Sequence, residues 1–191
     1  MLTICIAILK PFSPRLHGAS IGEEHARQVR ELIANHRELG NLVILDFAGV
    51  EGASASYLKR LIHPFFAPAG DPDCLPREIA PIVVNIESPD LKEELDDHLA
   101  GRGHAMVLAD RNPKRPKFRQ LLGRLDGAAA ETFRELQALK KSTAAEMYER
   151  HRKETTNQTA WNNRLVQLVE MRIARRTRVG RFWVYEPIVQ S

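Results

Sequence analysis

The sequence predicts an α/β domain with a mixed sheet over residues 1–110 and a small α+β domain over 128–191, joined by a linker and connecting helix at 111–127. Three observations predict this. Short β-branched apolar runs alternate with stretches of helical period as far as Asp110, the pattern of crossover connections within a sheet. Beyond Gly127 the alternation stops, and three helical stretches lead into two strand-like runs around Gly180. The charge divides at the same place. Residues 128–191 hold 12 Lys and Arg against 7 Asp and Glu, whereas residues 1–127 hold 16 against 17. A chain of 191 residues, 43% hydrophobic and 27% charged, has ordinary globular composition and enough length for two cores.

The opening "MLTICIAILKPF" lacks the basic region and small-residue cleavage site of a signal peptide, so it reads as a first strand. A loop with Pro11, Pro14 and Gly18 follows. In "GEEHARQVRELIANH", Ala26, Val29, Leu32, Ile33 and His36 recur at near-helical spacing, and Glu23 and Glu24 suit the positive end of the helix. Gly40 is expected to stop it. "NLVILDF" is a buried-strand run, and "SASYLKRLIHPFF" is a second helix expected to end at Pro64. "APAGDPDCLPREIAP" is a loop and "IVVNI" a strand. "SPDLKEELDDHLAGRG" is a helix with Ser88 as N-cap and Pro89 in its first turn, and "HAMVLAD" is the last strand of the domain. The basic, proline-broken "RNPKRPK" is a linker, and "FRQLLGRL" is expected to be helical.

Two helices, "AAAETFRELQALKKS" and "TAAEMYERHRK", open the last third. A turn then offers Thr156 or Asn157 as cap for a third helix through "TAWNNRLVQLVEMR". Two strands, 174–178 and 181–186, close the chain around Val179-Gly180. Trp161, Leu165, Leu168 and Val169 fall on one stripe of the third helix. Phe182 and Val184 read as core with Trp161, while Trp183 and Tyr185 on the other strand face suit either role. Largely off the stripe lie Thr159, Asn162, Asn163 and Gln167, with Gln158 at its start; their amides and hydroxyl match the donor and acceptor edges of bases in a major groove. The helix N-terminus can receive a phosphate on its free amides. Arg164 and Arg172 on the helix and Arg175, Arg176, Arg178 and Arg181 on the hairpin supply phosphate contacts. Such a charge excess calls for an anionic partner, with double-stranded DNA first.

The order helix, helix-turn-helix, arginine-rich hairpin resembles the winged helix-turn-helix domain of bacterial transcription regulators. The residues that carry the resemblance are Thr159, Arg164, Leu165, Leu168, Val169, Glu170, Ile173 and Arg176, followed by "GRFWVYEP" as the returning wing strand. One departure is Met171-Arg172, where many relatives carry a glycine. The resemblance implies that Gln158, Thr159, Asn162, Asn163 and Gln167 face the groove and that Arg178 and Arg181 sit on the wing. It also implies a homodimer on paired half-sites as one mode of binding. The alternative is a partner-switching scaffold whose last domain docks protein.

In the first domain, "LVILDFAGVEGASASYLKRLI" leads a strand through a Ser-rich turn into a helix, with Arg15 and Gly18 upstream and "PIVVNIESPDLKEEL" downstream. This resembles the STAS-like domains related to anti-sigma factor antagonists. The resemblance implies a module that binds a protein partner of the ATPase or kinase type, with a turn serine as phospho-acceptor. Here the turn reads Ser54-Ala55-Ser56-Tyr57, so Ala55 takes the acceptor position and Ser54 and Ser56 are substitutes. The same hydroxyls also suit helix capping. Lys59-Arg60 replaces the acidic pair that often follows.

The sequence shows no glycine-rich phosphate loop and no Cys/His spacing for zinc. The acids Asp71, Asp73, Glu94, Asp96 and Asp97 have no ligand-like pattern, and the seven histidines are scattered. A Ser54, His63, Asp46 triad lacks a nucleophile elbow. No catalytic residue, cofactor or metal is therefore expected. Two cysteines, Cys5 and Cys74, cannot form a disulfide framework and point to the cytoplasm; no run is long enough to cross a bilayer.

Overall fold

Apolar runs without polar alternation form strands buried on both faces, and this is how the first unit is built. A computed structural model describes residues 3–6, 14–35, 41–110, 116–152 and 157–191. The chain divides into two compact units, Met1–Arg124 and Leu125–Ser191. The first holds a five-stranded sheet in the order β1 (Thr3–Ile6), β3 (Leu42–Asp46), β5 (Ala80–Val84), β6 (Ala105–Ala109), β7 (Phe118–Gly123). The first four strands are parallel, and β7 runs antiparallel along the edge. A short parallel pair, β2 (Arg15–Leu16) with β4 (Gly52–Ala53), lies outside this sheet.

Each parallel crossover carries a helix: α1 (Ala19–Asn35), α2 (Ala55–Phe66) and α3 (Pro89–Ala100). A strand order that never reverses, with right-handed crossovers, puts the three helices on one face. The core confirms it. Val43, Leu45, Val83, Met106 and Leu122 pack with Val29, Ile33, Leu58, Leu61, Leu91 and Leu95 in one cluster. Each such side chain contributes about 1.5–3 kcal/mol by leaving water.

Helix ends follow the expected chemistry in part. Ser88 Oγ accepts from the Leu91 amide, with Pro89 in the first turn. Helix α1 starts at Ala19, so Glu23 and Glu24 lie past its first turn and not at its positive end. Pro64 does not end α2, which runs on to Phe66. A proline this near the end removes only one hydrogen bond from the last turn, and its carbonyl accepts from the Leu75 amide at 2.8 Å. His36, Gly40 and residues 111–115 of the linker lie outside the described residues.

The largest correction concerns "FRQLLGRL", expected as a connecting helix. Residues 118–123 form strand β7, paired with β6 from Ala105↔Gly123 to Ala109↔Phe118. Local spacing favours a helix there, but an open sheet edge offers backbone partners that a lone short helix lacks. Asp96 on α3 accepts from the Gly123 amide at 2.8 Å and holds the strand end. The first compact unit consequently reaches Arg124, beyond the Asp110 boundary read from the sequence.

The second unit contains α4 (Gly127–Leu139), α5 (Ala144–Arg150), α6 (Gln158–Glu170) and the hairpin β8 (Ala174–Val179) with β9 (Phe182–Pro187). Asp126 caps α4, and Thr143 with Glu146 forms a reciprocal capping box on α5. Ser142, between α4 and α5, makes both hydrogen bonds of an antiparallel bridge with Tyr185, at 2.9 and 2.8 Å. The hairpin thus gains a one-residue third strand. Gln137 on α4 donates to the Val189 carbonyl and accepts from Ser191, which straps the last residues to the helix. No helix among the described residues is long and apolar enough to cross a membrane.

Helices α1 and α2 meet at Gly22, where a Cβ would stand 2.5 Å from the Tyr57 carbonyl oxygen. That contact is with backbone, which cannot swing aside. Gly22→Ala should therefore lower the stability of the first unit by about 1–3 kcal/mol, even though alanine favours a helix by up to about 1 kcal/mol. Denaturant unfolding measures it, and an unchanged or raised midpoint would show that the helices do not need this approach.

Candidate functional site

The third helix of the second unit takes its orientation from one stripe: Trp161, Leu165 and Leu168 are fully buried. Val169, expected on that stripe, is only half-buried. Asn157 is the cap and accepts from the Ala160 amide at 2.8 Å, which occupies one of the amides free at the helix start. Thr156, the other candidate cap, lies outside the described residues.

The five polar residues read as groove-facing do not share one role. Gln158, Thr159 and Asn163 are exposed. Asn162 is half-buried, and its Oδ1 accepts from the Tyr185 hydroxyl at 3.0 Å. Gln167 is also half-buried, and its Nε2 donates to Asp126 Oδ2 at 3.0 Å. These two amides therefore tie α6 to the hairpin on one flank and to the start of α4 on the other. The helix edge opposite the buried stripe carries Thr159, Asn163, Val166 and, at its far end, the exposed acid Glu170.

The arginines separate in the same way. Arg164 is half-buried with its guanidinium 5.3 Å above the Trp161 ring. Arg175 Nε lies 3.0 Å from Glu186 across the hairpin, so its charge is matched. Arg176, Arg178 and Arg181 are exposed, and no acid among the described residues pairs with them. Arg176 stacks 4.5 Å from the Trp183 ring and Arg181 5.0 Å from the Phe182 ring. Arg172 is buried and adopts φ +60. Its left-handed conformation closes the helix. Its amide donates to Val169 and that of Ile173 to Leu168, the paired bonds of a Schellman cap.

The hairpin faces differ from the sequence reading. Tyr185 is buried, whereas Phe182 is 53% exposed and Val184 half-buried. Strand alternation gives two faces but does not say which one meets the helices; the Ser142 bridge and the Asn162 bond make that choice. The turn is Gly180-Arg181 and not Val179-Gly180, because Val179 pairs with Phe182. Gly180 has φ +59 at the first central position, which suits a tight hairpin turn. Val179, Phe182 and Trp183 are left as an exposed apolar tip among arginines.

In the first unit, Ser54 is the N-cap of α2. Its Oγ accepts from the Tyr57 amide at 3.3 Å and the Gly18 amide at 3.2 Å, and lies 3.0 Å from Ser56 Oγ. Ser56 is exposed in the first turn. Ser54, His63 and Asp46 have separate partners: His63 faces Asp71 at 3.3 Å, and Asp46 accepts from Ala48 and Asn85. Among the acids singled out, Glu94 accepts from the Ala53 amide and Asp73 pairs with Arg30 at 3.3 Å. No group of His, Cys, Asp or Glu among the described residues is placed to hold a metal ion.

Asp126, a partner of α6, and Ser142, a partner of the hairpin, stand outside the residues the sequence points to; the capping pattern at Asp126 is the local signal that could have found the first. The Ala129 amide and then Gln167 hold the Asp126 carboxyl below its usual 3.8, and the Thr143 amide does the same to Glu146 from 4.5. Both folded values are depressed, so their stabilisation is complete above about pH 4.5 and fades as pH falls through the lowered values. A pH series of thermal unfolding should show the second unit weakening only below that range; Asp126→Asn should flatten the acid limb. Asn162→Ala should cost about 1–2 kcal/mol by orphaning the Tyr185 hydroxyl, while Asn163→Ala should stay within about 0.5 kcal/mol. Equal losses would contradict the division of roles.

No family model, curated protein or solved structure matches the chain.

Proposed function

We propose that the chain is a DNA-binding transcription regulator whose second unit is a winged helix-turn-helix domain and whose first is a STAS-like module that binds a protein partner or senses a signal. One observation carries the reading. A helix exposes Gln158, Thr159 and Asn163 at its N-terminal end beside a hairpin whose Arg176, Arg178 and Arg181 lack acidic partners among the described residues. Base edges and phosphates are complementary to these two groups of side chains. Glu170 limits the contact, because a carboxylate at the far end of the same edge repels the DNA backbone. The base-reading residues in this proposal are thus Gln158, Thr159 and Asn163, with Asn162 and Gln167 positioning the helix.

For the first unit, support comes from a parallel sheet with three helices on one face and from a Ser-rich turn at the start of α2. The cap role of Ser54 leaves Ser56 as the accessible hydroxyl for a kinase-type partner. The apolar tip Val179, Phe182 and Trp183 favours the second reading, a scaffold that docks protein through the hairpin.

Binding to mixed genomic fragments separates the two. DNA recognition requires affinity to fall with salt by about 0.9 log units per log unit for each phosphate contacted. Arg178→Ala and Arg181→Ala should weaken every sequence alike and lower that slope by about one each, whereas Asn163→Ala should relax preference among selected sequences. Absent or salt-insensitive binding would favour protein docking. Identical behaviour of the arginine and asparagine variants would overturn the assignment of roles.

A further inference from the structure

Helix α2 places Lys59, Ile62, His63 and Phe66 at i, i+3, i+4 and i+7, one face of the helix near its C-terminal end. The end of α3 brings His98 and Arg102 to that face, and the chain then turns back through His104 into β6. These seven residues line one shallow, open groove of the first unit. Five are basic and none is a carboxylate. Asp71 reaches only His63, at 3.3 Å.

The basic groups act on one another. Burial pushes the pKa of His98 down, and the charges of Arg102, His104 and Lys59 push it further; burial and Arg102 do the same to His104. The C-terminal dipole of α3 attracts cations and accounts for His98 and Arg102. It gives no reason for Lys59 on the neighbouring helix to face them. An anion in the groove would turn this mutual repulsion into attraction from both helices. The groove also has an apolar wall. The His104 ring is stacked on Phe66 at 4.2 Å between centroids and 12° between planes, beside the buried Ile62.

We propose that the groove between α2 and α3 binds a small phosphate-bearing ligand, held by Lys59, Arg102, His98 and His104, with its organic part against Phe66. The site lies wholly in the first unit and stands independently of the DNA reading. It would give that unit a chemical signal to sense.

Histidine side-chain NMR on the full chain tests it, with inorganic phosphate and phenyl phosphate as probes and sodium chloride at matched ionic strength as reference. Bound phosphate favours the imidazolium form, so the pKa values of His98 and His104 should rise by about half a unit or more, while that of His151 in the second unit stays fixed. Lys59→Ala with Arg102→Ala, both exposed in the folded chain, should weaken binding at least about tenfold without changing thermal stability. Tighter phenyl phosphate assigns an aromatic monoester, and equal affinities assign the free anion. Shifts no larger than those from chloride, or full binding by the double variant, would overturn the site.

Discussion

The second unit is organised around Tyr185. Its backbone is bonded twice to Ser142, its ring is buried, and its hydroxyl donates to Asn162. Three elements with no neighbour relation in sequence therefore meet at one residue: the loop between α4 and α5, helix α6 and the returning strand. A hairpin of two strands is marginal by itself in water, so this anchorage is what gives the arginines of β8 a fixed frame. It also sets which face of β9 points outward. Phe182 is exposed because Tyr185, three residues on and on the opposite strand face, is buried.

A different constraint organises the first unit. The starts of α1 and α2 are drawn together by the Ser54 hydroxyl, which accepts from Gly18 before α1 as well as from Tyr57 inside α2. The same two helices carry the Gly22 approach to Tyr57 and a 2.9 Å hydrogen bond between His25 Nδ1 and the Tyr57 hydroxyl. Burial raises the Tyr57 pKa well above that of a free phenol and lowers that of His25, so the pair is neutral near pH 7. A turn serine engaged this deeply in packing has little freedom for chemistry. Ser56, two residues on, is exposed and meets this cluster only through its hydroxyl, 3.0 Å from that of Ser54.

Charge follows the same division between structural and available groups. Arg175 is matched by Glu186 and Arg164 lies over Trp161, whereas Arg176, Arg178 and Arg181 are exposed and pair with no acid among the described residues. In the first unit, Lys59, His98, Arg102 and His104 are unmatched in another way, since they face one another.

Local sequence determined a good deal. Apolar runs of strand length placed β3, β5 and β6, the stripe through Trp161, Leu165 and Leu168 placed α6, and Ser88-Pro89 placed the start of α3. Each of these depends on periodicity or on a cap within four residues, which a sequence displays directly. Tertiary structure alone decided the rest. Residues 118–123 became a strand because β6 offered an edge, a partner several residues away in sequence that no helical spacing can announce. Asn162 and Gln167 became ties, although they look like Asn163 along the chain, because Tyr185 and Asp126 stand opposite them. Histidines scattered at 63, 98 and 104 became neighbours because two crossover helices end side by side. Side-chain identity is local, but the partner that fixes its role is supplied by the fold.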